Sequence, residues 1–65
     1  MNKYFYKLVK AFAADSKNKN KLSFSDFKIW ILWNPEYGYT TYNHVRNYKE
    51  TEYIETLKEV QNENK

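Results

Sequence analysis

Apolar residues along this chain recur mostly at steps of three and four. The first run is Phe5, Leu8, Val9 and Phe12, an i, i+3, i+4, i+7 stripe. Such a stripe is the buried side of an amphipathic helix. Lys3, Lys7 and Lys10 fall on the other side, and Ala11, Ala13 and Ala14 favour helix. The spacing predicts a helix from Asn2 to Ala14. Asp15 to Lys21 then lacks periodicity and is dominated by Asn, Ser and Lys, so it reads as a polar loop. Near the far end, Tyr53, Ile54 and Leu57 mark the apolar face of a last helix, from Glu50 to about Gln61. Glu50, Glu52 and Glu55 occupy its first turns, where the helix dipole favours negative charge. Asn62 to Lys65 is expected to fray.

The stretch between, Phe24 to Tyr48, holds both Trp residues and the only Pro, Gly, His and Arg of the chain. It supports two readings. In the first it is a helix–turn–helix. Ser23 precedes Asp26 by three residues, as at a capped helix start. Phe24, Phe27 and Ile31 follow with helical spacing. Pro35 disfavours the α region for Asn34, so the helix should stop near Trp33. Gly38 can take φ > 0 and turn the chain. Thr40 or Thr41 caps a second helix, with Tyr42, Val45 and Tyr48 as its buried face. In the second reading, 27–45 is a β-hairpin flanked by two helices, an α+β fold. Phe27 to Trp33 and Tyr39 to Val45 are rich in strand-favouring residues, and 34–38 suits a hairpin loop. Neither run alternates cleanly. The i, i+3 spacing appears on both sides of the turn and favours an all-α fold, a compact bundle of three to four short helices.

At 65 residues the chain is expected to form one domain, 1–65. A chain this size buries only about 60% of the surface its unfolded form exposes. An aromatic content of 20% compensates, since each buried ring removes roughly 150–250 Å² from water. There is no Cys, which excludes a disulfide framework and a thiolate metal site. No apolar run approaches the ~20 residues of a membrane span, and Lys7 and Lys10 interrupt any signal-peptide core. The expected setting is a soluble protein of a reducing cytoplasm, without a membrane partner. Charge is asymmetric. Residues 1–49 hold nine Lys/Arg and three Asp/Glu, so +6, and residues 50–65 hold two Lys and five Glu, so −3. The basic part suits nucleic acid or an acidic protein surface; it equally suits plain solubility of a very aromatic chain.

No reaction is signalled. His44 with Asp15 or Asp26 and Ser16, Ser23 or Ser25 has no spacing that supports a triad, and triads are recognised by geometry. His44 has no neighbouring His or Cys for a metal. One Gly cannot make a phosphate loop. The protein is therefore expected to be no enzyme and to use no cofactor. Two surfaces remain. If Tyr42, Val45 and Tyr48 point inward, Thr40, Thr41, Asn43, His44, Arg46, Asn47 and Lys49 lie outside. Asn pairs with adenine, Arg with guanine, and Thr and Lys with phosphate. Lys28, with Lys17, Lys19 and Lys21, would add phosphate contacts. A helix entered through a turn is how a helix–turn–helix presents its recognition helix. The second surface is aromatic. Ile29, Trp30, Leu32 and Trp33 exceed what one stripe can hide, so Trp30, Trp33, Tyr37 and Tyr39 could form an exposed protein-binding patch or a homodimer seam; a central, surrounded helix would bury them instead.

The order of elements resembles the YozE-like family of small helical bacterial proteins with a SAM-like fold. The resemblance runs over about residues 4–48. Phe5-Tyr6 match paired aromatics, Phe27 leads into Asn34-Pro35-Glu36-Tyr37-Gly38, and Tyr42, Val45 and Tyr48 match a Tyr-x-x-Ile-x-x-Tyr helix. Asn34 stands where that pattern has Asp, and Pro35 is displaced. The family carries no established activity, so the resemblance implies helices and transfers no site. The function expected is a small regulatory DNA-binding module of phage or mobile-element type, monomer or homodimer. The alternatives are a phage-type inhibitor or adaptor that binds a host protein through the aromatic patch, or a structural component of an assembly.

Overall fold

Capping chemistry at the ends of each element sets the helix boundaries. The computed structural model describes residues 3–15, 18 and 20–63. Four helices follow in order: α1 (Lys3–Ala14), α2 (Phe24–Trp33), α3 (Gly38–Val45) and α4 (Glu50–Glu63). Among the described residues there is no strand, so the hairpin over 27–45 does not form. Pro35 and Gly38 place a turn, not a hairpin loop, between two helical segments.

α1 closes where Asn18 reaches back, its Nδ2 donating to the Phe12 carbonyl at 3.1 Å. That satisfies one of the carbonyls a helix end leaves unpaired. α2 opens at Ser23, whose Oγ accepts the Asp26 N–H at 3.1 Å and donates to the Asp26 carboxylate at 2.7 Å. It ends at Asn34, held extended (φ −80°, ψ 124°) as a residue before Pro should be. The Asn34 side chain then accepts the Glu36 N–H at 2.9 Å, an Asx turn. Gly38 has φ +70°, which lets α3 start at once. The expected Thr40 or Thr41 cap is therefore wrong. The cap is Tyr37, three or four residues earlier, and it makes no side-chain capping bond. α4 opens with the Lys49 N–H donated to Glu52 Oε1 at 3.0 Å, half of a capping box.

α2 packs chiefly on α3, and α1 chiefly on α4. Between the pairs lies a core of Phe5, Leu8, Val9, Phe12, Phe24, Phe27, Ile31, Val45, Tyr53 and Val60. Phe5 and Phe12 meet Phe27 edge-on, and Phe24 and Tyr53 stack on it. The radius of gyration, 10.8 Å, is about what a close-packed chain of this length should have.

The apolar faces expected for the first two helices are buried as read. The last two are not. In α3 the inward residues are Thr41 and Val45, with Tyr42 and Tyr48 only half-buried. The early start at Gly38 turns an i, i+4 pair inward instead of the 42/45/48 row. In α4 they are Tyr53, Thr56 and Val60, while Ile54 stays 41% exposed. Residues 53 and 54 lie about 100° apart on a helix, so both cannot face the core, and the larger ring takes it. Thr56 tolerates burial because its Oγ1 donates to the Glu52 carbonyl at 2.8 Å. The helix also runs on to Glu63, past Val60 or Gln61.

Tyr53 carries this packing. It is buried, and its hydroxyl donates to the Leu22 carbonyl at 2.6 Å. Burial, with a smaller effect from Asp26, pushes its phenol well up from the usual range. Tyr53→Ala is expected to cost about 3–5 kcal/mol, against a total of roughly 3–10 kcal/mol for a domain this size. Tyr53→Phe should cost only about 1 kcal/mol, the hydrogen bond alone. Urea denaturation followed by circular dichroism measures both; similar losses would show that the ring is not the important part.

Candidate nucleic-acid interface

α1 and the segment from Gly38 to Lys49 share one property: neither contains an Asp or Glu. Tyr4 joins them. Its hydroxyl lies 3.4 Å from Thr41 Oγ1, and its ring centroid is 5.9 Å from that of His44. His44 in turn meets the Tyr48 ring edge-on at 5.7 Å. Tyr48 lies flat on Phe5 of the core, at 3.9 Å and 2°. A row of rings thus runs from the core to the surface, and it fixes α3 against α1.

Exposed cations lie on the same two segments. Lys3, Lys7 and Lys10 are exposed at i, i+4 and i+7 of α1, with an open groove of about 390 Å³ along them that Tyr6 also lines. Thr40, His44, Arg46, Asn47 and Lys49 are exposed on and just beyond α3. Acidic groups border this face at its edges. Glu63 of α4 accepts the Tyr6 hydroxyl on the far flank of α1. That bond first, then burial and the charges of Glu63 and Glu59, pushes the Tyr6 phenol up to about 12. Glu52 closes the other edge beside Lys49.

The residues expected to contact nucleic acid divide. Thr40, His44, Arg46, Asn47 and Lys49 reach solvent. Thr41 does not: it is buried, turned toward Tyr4 by the early start of α3. Asn43 is half-buried, and its groups are engaged by its own helix. Its Oδ1 accepts from Arg46 at 3.4 Å and its carbonyl from the Asn47 side chain at 3.0 Å. Lys28 is drawn elsewhere. Its ammonium sits 4.5 Å over the Phe24 ring, which stacks on Tyr53 of α4. Lys21 is exposed, and Lys17 and Lys19 lie outside the described residues. Sequence reasoning missed Tyr4 as a partner of α3. The absence of acids in both segments was the signal available.

The aromatic patch also divides. Trp30 is half-buried, its indole N–H donating to Asp15 at 3.0 Å and its ring beside Phe12 and Tyr37. Tyr37 is half-buried as well, and burial, then Glu36 and Tyr4, pushes its phenol up. Trp33 and Tyr39 are open, at 79% and 63% exposure, and Ile29, one helical turn before Trp33, is 55% exposed. The uncovered apolar surface is thus the outer stripe of α2, with Tyr39 on α3.

No triad assembles. His44 touches two tyrosine rings, while Asp15 and Asp26 bond Trp30 and Ser23. Among the described residues no three His, Cys, Asp or Glu side chains gather as metal ligands, and no helix is long and apolar enough to cross a membrane. No family model, curated protein or solved structure matches the chain. The likeness to the YozE-like family rests on the sequence pattern alone.

The two indoles should be separable in solution. Trp33→Phe is expected to leave a bluer emission that acrylamide quenches poorly, since only the packed Trp30 remains. Unchanged quenching relative to the parent protein would contradict the packing of Trp30.

Proposed function

We propose that this protein is a small, non-enzymatic regulatory module of the kind phages and mobile elements use, binding DNA through α3 together with α1. The supporting observation is a pair of acid-free segments joined at Tyr4, with Lys3, Lys7 and Lys10 exposed on α1, Arg46 and Lys49 exposed just beyond a helix entered through a tight turn, and Glu63 and Glu52 at the borders. Phosphates of a polyanion neutralise such cations, and the counterions released from the nucleic acid drive the association. Tyr4 and His44 tie the two helices together, so the cations are held in fixed relation. Thr40, Arg46 and Asn47 are the side chains left to meet bases and phosphates.

A second reading has its own observation. Ile29 and Trp33 form an uncovered apolar pair beside a hollow of about 190 Å³ lined by Asp15, Trp30, Asn34 and Pro35. A helix apolar on most of its sides is normally covered, and exposed patches of this kind mark protein interfaces. On this reading the protein is an inhibitor or adaptor that binds a host protein.

Fluorescence anisotropy of labelled random-sequence DNA, titrated over a range of salt, separates the two. Five cationic contacts predict a fall in log affinity of roughly 4.5 per decade of salt on a duplex, and about 3.5 on a single strand. Arg46→Ala and Lys7→Ala should each lower that slope by about one. An absence of binding at low salt would overturn the nucleic-acid reading. Loss of a host protein from pull-downs by Trp33→Ala would then establish the second.

A further inference from the structure

The site reading leaves open which form of nucleic acid the face accepts, and side-chain geometry bears on that. Sequence readout from a duplex needs side chains free to pair with base edges in the major groove. α3 has few of them. Thr41 is turned inward, the Asn43 carboxamide oxygen faces Arg46, and the Asn47 amide gives one hydrogen to the Asn43 carbonyl. What the face offers instead is rings. Tyr4 is 46% exposed, His44 is exposed beside it, and Tyr39 opens on the far side of α3.

Tyr4 and His44 are also held in place. Tyr4 is anchored at Thr41 Oγ1, with its ring inclined 53° to that of His44. His44 is backed by Tyr48, and Tyr48 by Phe5 of the core. A base laid on such a platform costs little side-chain ordering. Exposed rings interleaved with cations are the ingredients of single-strand binding, because every base has a π-face and the cations follow the backbone.

We infer that the ligand of this face is a single-stranded nucleic acid, with a base stacked on the Tyr4 ring and His44 bracing that ring from the side; this rests on the nucleic-acid reading above. Lys3 and Lys7 on one side, with Arg46 and Lys49 on the other, contact the phosphates flanking that base. Neither stacking nor phosphate contact involves the 2′-hydroxyl, so DNA and RNA strands both fit.

The test compares three probes at one low salt concentration: a labelled pyrimidine-rich DNA strand, the RNA strand of the same sequence, and the DNA duplex. Both single strands are expected to bind at least tenfold more tightly than the duplex and within a few-fold of each other. Tyr4→Ala should weaken single-strand binding about fivefold or more, the equivalent of one lost stacked base. Tyr4→Trp should restore it. If circular dichroism shows Tyr4→Ala to be unfolded, His44→Ala carries the same expectation. Duplex binding as tight as single-strand binding would overturn this inference and leave the DNA-binding reading standing. Binding to none of the three would overturn both. Single-strand binding indifferent to both ring variants would overturn the stacking site.

Discussion

Phe27 sits where three helices meet. Phe5 and Phe12 of α1 approach its ring edge-on, and Phe24 of α2 and Tyr53 of α4 stack on it. Each such pair adds roughly 0.5–1.5 kcal/mol beyond the area it buries. A chain this short cannot surround itself with many aliphatic side chains, so a few large rings do most of the covering. The arrangement lets helices of eight to fourteen residues stand together, although isolated helices of that length are marginal in water. It also fixes where the surface falls. α3 has no ring against Phe27; it packs on α2, and Tyr48, Tyr4 and Thr41 add its link to α1.

Much of this was legible from residue spacing. The Phe5–Phe12 stripe, the Ser23 cap, the stop before Pro35 and the turn at Gly38 are local features, and local physics decides them. The errors came where two registers competed. Tyr53 and Ile54 are neighbours, and spacing cannot say which one the core takes. α3 was read from its threonines, but Gly38 with φ +70° starts the helix first, and the whole face rotates so that Thr41 turns inward. Spacing alone treats Trp30 and Trp33 alike, as both buried or both exposed. They separate because Asp15, from the loop before α2, reaches one indole and not the other. No periodicity shows a contact of that kind.

The candidate surface was half legible. The polar residues after Gly38 stood out by type. Their connection to Lys3, Lys7 and Lys10 did not, because it depends on one long-range pairing, Tyr4 with Thr41 and His44. With that pairing in place, the charge asymmetry of the sequence takes a spatial form. Tyr4 joins one flank of α1 to α3, while the other flank lies against α4, which carries five Glu residues. The apolar stripe of Ile29 and Trp33 belongs to α2, so a protein contact there and a nucleic-acid contact at Arg46 would use different parts of the molecule.

The central claim is that one face, built by α1 and α3, meets nucleic acid. The most direct measurement is an amide NMR titration of the isotope-labelled protein with a short oligonucleotide. The account predicts that the largest shifts fall at Lys3, Tyr4, Lys7, Thr40, His44, Arg46 and Asn47, while Ile29 and Trp33 hardly move. Shifts centred on Ile29 and Trp33, or none at saturating oligonucleotide, would contradict it.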